Sequence, residues 1–163
     1  AAFAPAPGPY RPAIGGLAVG GLALLAPYAL PYGKYQIDPL LATAAAPASF
    51  FALAAVAKLA GTTATVASGW RGGFIIPLFF VGAALGRALH IALPQTNEAV
   101  LACALMAAIN TGVTKTPLGS TLVVSKMVGL SLVPSTAIAA VLALLLTHRS
   151  GLMASQRERV EAA

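Results

Sequence analysis

The sequence predicts an all-α integral membrane protein with tilted, half-spanning and broken helices. Of its 163 residues, 58% are hydrophobic and only 9% are charged, and the mean hydropathy is +0.85. A soluble domain carries about 25% charged residues, so this chain has too few polar groups to cover a soluble surface. Several of its apolar runs are shorter than the roughly 20 residues that span hydrocarbon. Polar breaks between such runs are tolerated in a membrane only where protein or an aqueous cavity shelters the backbone.

Proline, glycine and polar residues divide the chain into predicted elements. Residues 1–10 are a predicted linker, residues 11–147 the membrane part, and residues 148–163 a basic tail helix. Within the membrane part, polar connections are predicted over 32–39 and 111–116. The apolar runs and helices are predicted over 13–30, 40–46, 48–67, 75–93, 98–110, 117–128 and 134–147. Pro27 and Pro31 break the first of these runs, whereas Pro117 and Pro134 stand in first helical turns, where a missing N–H costs nothing.

Capping residues and glycines support these boundaries. Thr96 or Asn97 is the predicted N-cap of the helix that begins at residue 98, and Thr116 is the predicted N-cap of the helix that begins at residue 117. Glycines four or five residues apart place small side chains on one helical face and favour close helix packing. These glycines are Gly15, Gly16, Gly20, Gly21, Gly82 and Gly86.

The stretch SGWRGGFIIP, residues 68–77, is the predicted functional site. It lies between two apolar runs, holds three glycines, and places Pro77 in the first turn of the following helix. Glycines let the backbone turn tightly and approach a ligand. A helix N-terminus presents free N–H groups and a positive dipole end, which together bind anions. In membrane proteins, broken helices of this kind point at ions near the midplane.

The formal net charge is +6, yet the basic residues do not indicate a nucleic-acid interface. Ten Lys and Arg residues stand against four Asp and Glu residues, and they are scattered without interleaved aromatic residues. Three of the basic residues, Arg149, Arg157 and Arg159, lie in the tail. The positive-inside rule therefore predicts a cytoplasmic C-terminus. The expected location of the chain is a plasma or inner membrane.

Four residues are candidates for an ion pathway or its vestibule: Ser68, Arg71, Lys58 and Lys126. A charge within an apolar helix is costly and is usually functional or paired. Lys58 therefore has two open interpretations: it attracts anions, or it snorkels or forms a structural salt bridge. For Lys126 the structural interpretation is favoured, because Gly129 ends its helix nearby. Arg71 is either a vestibule residue or a plain surface charge.

Three other basic residues have simpler interpretations. Lys115 lies in a predicted polar break and is expected to be solvated. Arg87 and His90 lie near the end of a predicted helix, where snorkelling to the membrane interface costs little.

No pattern of residues indicates a metal site or an enzyme. His90 and His148 have no partners at ligand spacing, and the four carboxylates form no pair. We therefore expect no catalytic residue, no metal and no cofactor, with the transported ion as the ligand. The lone Cys103 lies in an apolar helix and is predicted to be buried.

Several segments, in order and spacing, resemble the CLC family of voltage-gated chloride channels and H⁺/Cl⁻ antiporters. Residues 73–77, GFIIP, fit the G-x-x-x-P frame of the family's G-x-F-x-P signature, in an S-G-x-x-G-G context at residues 68–73. The other similar segments are RPAIGGLAVG at 11–20, YGKYQI at 32–37, VAKL at 56–59 with Thr62 and Thr63, and Ala107 to Leu118, which resembles A-x-x-x-x-A-P-L-T.

This resemblance implies the second inverted-repeat half of a CLC pore domain, in a homodimer whose subunits each have an anion pathway. The backbone amides of Phe74 and Ile75 would coordinate a dehydrated anion, Gly73 would allow its approach, and Pro77 would fix the first turn, with Ile76 between them. The family's first half, with its G-S-G-I-P serine and G-R-E-G-P glutamate, is not present in this sequence. We therefore expect the pathway to need the N-terminal half.

The sequence departs from the family pattern at three places. Ile75 stands where the family usually has Phe, and Lys126 stands where many members have Glu. The family's ion-contacting Tyr is expected near residues 149–154, which contain no Tyr. The side-chain hydroxyl contact to the anion is therefore absent or replaced.

The predicted function is transport of a chloride-type anion, as a channel or an H⁺/anion exchanger. Membrane lipid, a second copy of the chain and the N-terminal half are the expected partners. Two alternatives stay open. One is another secondary transporter whose broken helix binds a carboxylate-bearing substrate, which a cavity of several hundred Å³ would favour. The other is a non-conducting membrane subunit of a larger assembly.

Overall fold

The computed structural model of the chain describes residues 10–30, 32–43, 45–70 and 73–149. Its regular structure is helical, and these residues contain no strand. Most of the predicted linker (1–9) and tail helix (150–163) lie outside the described residues, as do Arg157 and Arg159. The helices are α1 (Arg11–Leu25), α2 (Lys34–Leu41), α3 (Ala48–Ala67), α4 (Ile75–Ala92), α5 (Glu98–Thr114), α6 (Pro117–Val128) and α7 (Val133–Thr147), with short 3-10 turns at Pro27–Ala29 and Leu130–Leu132.

Three stretches of helix are long and apolar enough to cross a membrane. They are Ala48–Ala67, Ile75–Ala92 and Leu130–Thr147. α1 and α5 are also apolar but shorter. The chain is therefore an all-α integral membrane protein in which full-length and shorter helices are mixed, as the sequence predicts.

The boundaries that proline and glycine mark in the sequence agree with the structure. α3 and α6 cover the predicted residues 48–67 and 117–128. α4 begins at the predicted residue, Ile75, and ends one residue early, and α7 begins one residue before Pro134. These ends are fixed by local backbone chemistry, so the sequence is enough to find them.

α5 extends four residues beyond its predicted end at Asn110, so the polar break predicted over 111–116 is wrong for its first four residues. Within this turn, the Thr114 hydroxyl donates to the backbone carbonyl of Asn110 at 2.8 Å. A threonine can bond to its own helix in this way, which lets polar residues continue an apolar helix. The helix ends at Lys115, whose φ of 60° is left-handed.

The polar connection predicted over 32–39 is wrong from Lys34 onward, because Lys34–Leu41 forms α2 with Pro39 inside the helix. The apolar run predicted over 40–46 leaves the helix after Leu41. Ile37 and Leu40 are buried against the rest of the core. Packing therefore stabilises a helix that its polar composition and its proline disfavour, because most helical stability in proteins comes from tertiary contacts.

α4 lies at the centre of the core, packed between α3 and α5. Gly82 meets the α5 backbone at Met106, and Gly86 meets it at Ala102, with no room for a Cβ at either glycine. The predicted close packing at these two glycines is confirmed. The α4–α5 contact is therefore backbone against backbone, and the two helices run antiparallel.

The glycines of α1 behave differently from one another. Gly15 packs against Ser68 of the segment after α3, and a Cβ there would overlap the serine side chain. Gly16, Gly20 and Gly21 have open space around them. Close packing in α1 is therefore confirmed at Gly15 alone within the described part of the chain.

The predicted N-caps give one correct and one incorrect assignment. Asn97 caps α5, because its side-chain oxygen accepts a hydrogen bond from the Val100 N–H at 3.3 Å. Thr116 occupies the N-cap position of α6 but makes no capping bond. Its hydroxyl lies instead 2.7 Å from the Thr114 hydroxyl.

Loss of the Asn97 cap should have a measurable effect on stability. We expect Asn97→Ala to lower the free energy of unfolding by about 1 kcal/mol, because the Val100 N–H then loses its partner. Gln95→Ala, an exposed change in the same turn, is the control. Thermal unfolding of the full-length protein in detergent would measure both, and equal midpoints would show that the cap is not formed.

Candidate functional site

The N-terminus of α4 is the candidate site. Phe74 is the N-cap residue and makes no side-chain capping bond, and Ile75, Ile76 and Pro77 form the first turn. The first intrahelical bond across this turn runs from the Leu78 N–H to the Phe74 carbonyl at 3.1 Å. Because the opening N–H groups of a helix have no carbonyl one turn earlier, the amides of Ile75 and Ile76 have no acceptor within the helix, and Pro77 has no N–H to leave unpaired.

The burial of these residues leaves the amides accessible from one side. Pro77 is buried in the core, Phe74 and Ile76 are half-buried, and Gly73 and Ile75 are exposed. Gly73 has nothing within 4 Å of the position that a Cβ would take. The helix start is therefore anchored by Pro77 while Gly73 before it is exposed, which is the geometry that an approaching anion needs.

The last turns of α5 lie beside this helix start. Since Gly82 faces Met106 and Gly86 faces Ala102 in an antiparallel pair, Pro77 stands at the level of Thr111. The sequence analysis did not single out Thr111 or its neighbour Asn110. Both are buried, and each has one side-chain oxygen without a hydrogen-bond partner.

Asn110 connects α5 to the first turns of α6. Its side-chain N–H donates to the Ser120 hydroxyl at 2.8 Å, and that hydroxyl donates to the Thr116 carbonyl at 2.9 Å. This buried polar chain fixes the start of α6 against the end of α5. Its only signal in the sequence is the polar character of residues 110–120, which does not reveal the pairing.

The two other pathway candidates that the structure describes, Ser68 and Lys126, have their contacts away from the start of α4. Ser68 follows α3, donates to the Thr65 carbonyl at 2.9 Å and packs under Gly15. Lys126 is exposed in the last turn of α6. Arg71 lies outside the described residues.

Lys58 is fully buried in α3, does not snorkel, and forms no salt bridge with a carboxylate of the described residues. Its ammonium donates to the Leu30 carbonyl and to the side-chain oxygen of Gln36, both at 2.5 Å. The same nitrogen lies 4.4 Å from the centre of the Phe80 ring. Of the two open interpretations, snorkelling or a salt bridge is not observed among the described residues. The partners are neutral oxygens and a ring that sequence spacing does not identify.

Two further predictions about basic residues are also wrong. Lys115 is not simply solvated, because its ammonium donates to the carbonyls of Gly112 at 2.7 Å and Thr147 at 2.6 Å, joining the ends of α5 and α7. Arg87 does not snorkel but forms a salt bridge with Glu98. That pair ties the end of α4 to the start of α5, since the short turn between the helices brings the two side chains together.

A cavity of about 690 Å³ lies between α2, the turn after α4 and the end of α6. His90, Glu98 and Cys103 are among its lining residues, and none of residues 73–77 is. The cavity therefore does not provide a substrate pocket at the start of α4. Cys103 is buried, as predicted, and the described residues hold no cluster of metal-binding side chains.

The fold and the start of α4 define an integral membrane protein with broken helices. Residues 2–148 match the family model described as voltage gated chloride channel. The chain belongs to this family, which is the one that the sequence resembles.

Curated relatives share part of the chain. A protein of Escherichia coli O1:K1 named "Putative ion-transport protein YfeO" is 40% identical over 95 residues, and its namesake in Escherichia fergusonii is 39% identical over 95 residues. Each match covers 57% of this chain and 23% of the relative. No solved structure matches the chain significantly.

Proposed function

We propose that this chain forms part of a pathway that moves small monovalent anions of the chloride type across a membrane. The observation that carries the proposal is the uncapped start of α4, where the amides of Ile75 and Ile76 have no partner among the residues that the structure describes. Membership of the voltage gated chloride channel family and the ion-transport name of the relatives support it.

In this proposal the anion exchanges its hydration water for backbone N–H groups. The amides of Phe74, Ile75 and Ile76 point at the ion, Gly73 lets it approach, and Pro77 holds the turn. Backbone donors bind a halide without a fixed counter-charge, so binding is strong enough for entry and weak enough for exit. The basic excess of the chain raises the local anion concentration. The pathway is a channel or an H⁺/anion exchanger.

The proposed partners are membrane lipid, a second copy of the chain and the N-terminal half of the pore domain. The large apolar surface of α6 and α7 supports such partners, because Leu118 is 80% exposed and Leu146 is 86% exposed. Only 11% of the membrane span that ends at Thr147 is buried. The proposed orientation places Arg149 and the residues after it in the cytoplasm.

Anion efflux from proteoliposomes tests this function. We expect chloride efflux from vesicles that hold the full-length protein, or both halves co-expressed, and none from vesicles that hold this chain alone. Efflux from this chain alone would show that the second half is sufficient. Absence of efflux from the full-length protein under chloride and proton gradients would leave a non-conducting subunit.

A further inference from the structure

Lys58 closes a polar network around the break between α1 and α2. Its ammonium reaches the Leu30 carbonyl and the Gln36 side chain, and the Gln36 amide in turn donates to the Pro27 carbonyl at 3.3 Å. Both carbonyls belong to the segment between α1 and α2, with Pro27 in its 3-10 turn and Leu30 directly after that turn. One lysine on α3 and one glutamine on α2 thus hold two carbonyls of this break.

The ammonium is enclosed by protein groups. Two of its three N–H donors go to oxygens, and its nitrogen lies over the Phe80 ring. The Gly33 backbone closes another side, because a Cβ there would lie 3.3 Å from the Lys58 nitrogen. The side chain is 0% exposed, so no path leads from the ammonium to the free amides of α4 within the described part of the chain.

The break packs beside the apolar helices α1 and α3, so its carbonyls need donors from the protein wherever water is excluded. Backbone carbonyls at membrane depth must be satisfied within the protein, since lipid offers no hydrogen bond. An unpaired buried carbonyl is costly, and a charged donor makes a stronger bond than a neutral one. A lysine that replaces water as the donor to these carbonyls has a structural role.

We infer that Lys58 is a positioning residue that clamps the α1–α2 break onto α3 and α4, and that it is not an anion ligand. Through Phe80 the same clamp reaches α4, five residues after Ile75. The clamp depends on Gln36 as much as on Lys58, because the Gln36 side-chain oxygen accepts a hydrogen bond that the Lys58 ammonium donates. This inference concerns assembly of the helices. Its stability test is independent of the transport proposal, and only its efflux test rests on that proposal.

Isosteric variants distinguish the clamp from a direct effect of the Lys58 charge on the anion. In the full-length protein, Lys58→Met and Gln36→Met each remove one side of the network, and Lys34→Met removes an exposed lysine of α2 as the matched charge control. We expect both Lys58→Met and Gln36→Met to lower the thermal midpoint in detergent by several degrees. The double variant should be little worse than Lys58→Met alone, because the two changes break one network. Lys34→Met should leave the midpoint unchanged.

Chloride efflux from the same variants gives the second measurement. The clamp predicts that efflux falls in parallel with stability for Lys58→Met and Gln36→Met. A different result would contradict the clamp: Lys58→Met lowers efflux without changing its thermal midpoint, and Gln36→Met changes neither efflux nor midpoint. Lys58 would then act on the anion through its charge. Unchanged midpoints in all single variants would also overturn the clamp.

A milder variant keeps the test informative where Lys58→Met does not fold. Gly33→Ala adds one carbon that would press on the Lys58 ammonium at 3.3 Å and on the Phe80 Cβ at 3.2 Å. We expect it to lower the midpoint in the parent protein and to have a smaller effect when Gln36 is already Met, because the network is then partly released. Equal effects in both backgrounds would contradict a shared clamp.

Discussion

Gly82→Ala is expected to destabilise the protein by about 2 kcal/mol or more, because a Cβ at Gly82 would overlap the backbone of Met106 and Leu105 in α5. Helix backbone atoms cannot turn aside as a flexible side chain can. The two helices would have to separate along a tightly packed contact at the centre of the core. Alanine is a better helix former than glycine by about 1 kcal/mol. We expect the steric overlap with α5 to cost more than this gain in helix propensity.

The control for this prediction is the same chemical change at Gly16. That glycine lies in α1 with nothing within 4 Å of its Cβ position, so Gly16→Ala should leave stability unchanged or raise it. Thermal unfolding of the full-length protein in detergent would compare the two variants. Opposite signs support the antiparallel α4–α5 contact, and a Gly82→Ala variant as stable as its parent would rule that contact out.

The sequence determines the fold best where the backbone itself carries the signal. Pro117 and the glycine after Val128 mark both ends of α6, and Asn97 marks the start of α5. The sequence is less informative where tertiary contacts decide. α2 has a polar sequence with Pro39 inside it, and it is helical because Ile37 and Leu40 are buried in the core.

The same distinction between local signals and tertiary contacts applies to the candidate site. The free amides at the start of α4 could be predicted, because the order Gly73 to Pro77 is local and the amides need no partner. The partners of Lys58 could not, because Leu30 and Gln36 lie 28 and 22 residues away in the sequence. A hydrogen bond between a lysine and a distant backbone carbonyl leaves no pattern in the sequence, because every residue has a carbonyl. A salt bridge is easier to predict, since its partner must be one of the few carboxylates in the membrane part.

Gly73→Val is expected to reduce chloride efflux about tenfold or more, which corresponds to about 1.4 kcal/mol of binding, and to leave thermal stability unchanged. Gly73 does not need a positive φ, and nothing lies within 4 Å of its Cβ position, so the fold has room for the side chain. The added methyl groups would stand directly before the free amides of Ile75 and Ile76. They would crowd an anion there and hinder its exchange of water for N–H groups.

Gly119→Val in the first turn of α6 is the matched control, because its Cβ would meet Thr116 at an ordinary contact distance of 3.7 Å. Efflux from proteoliposomes and thermal unfolding in detergent should both be unchanged in this variant. If Gly73→Val transports chloride as the parent does, the start of α4 is not the anion site. If it loses efflux and stability together, the effect is structural. Loss of efflux alone assigns the anion to the free amides of α4, because Gly73 contributes no side chain of its own.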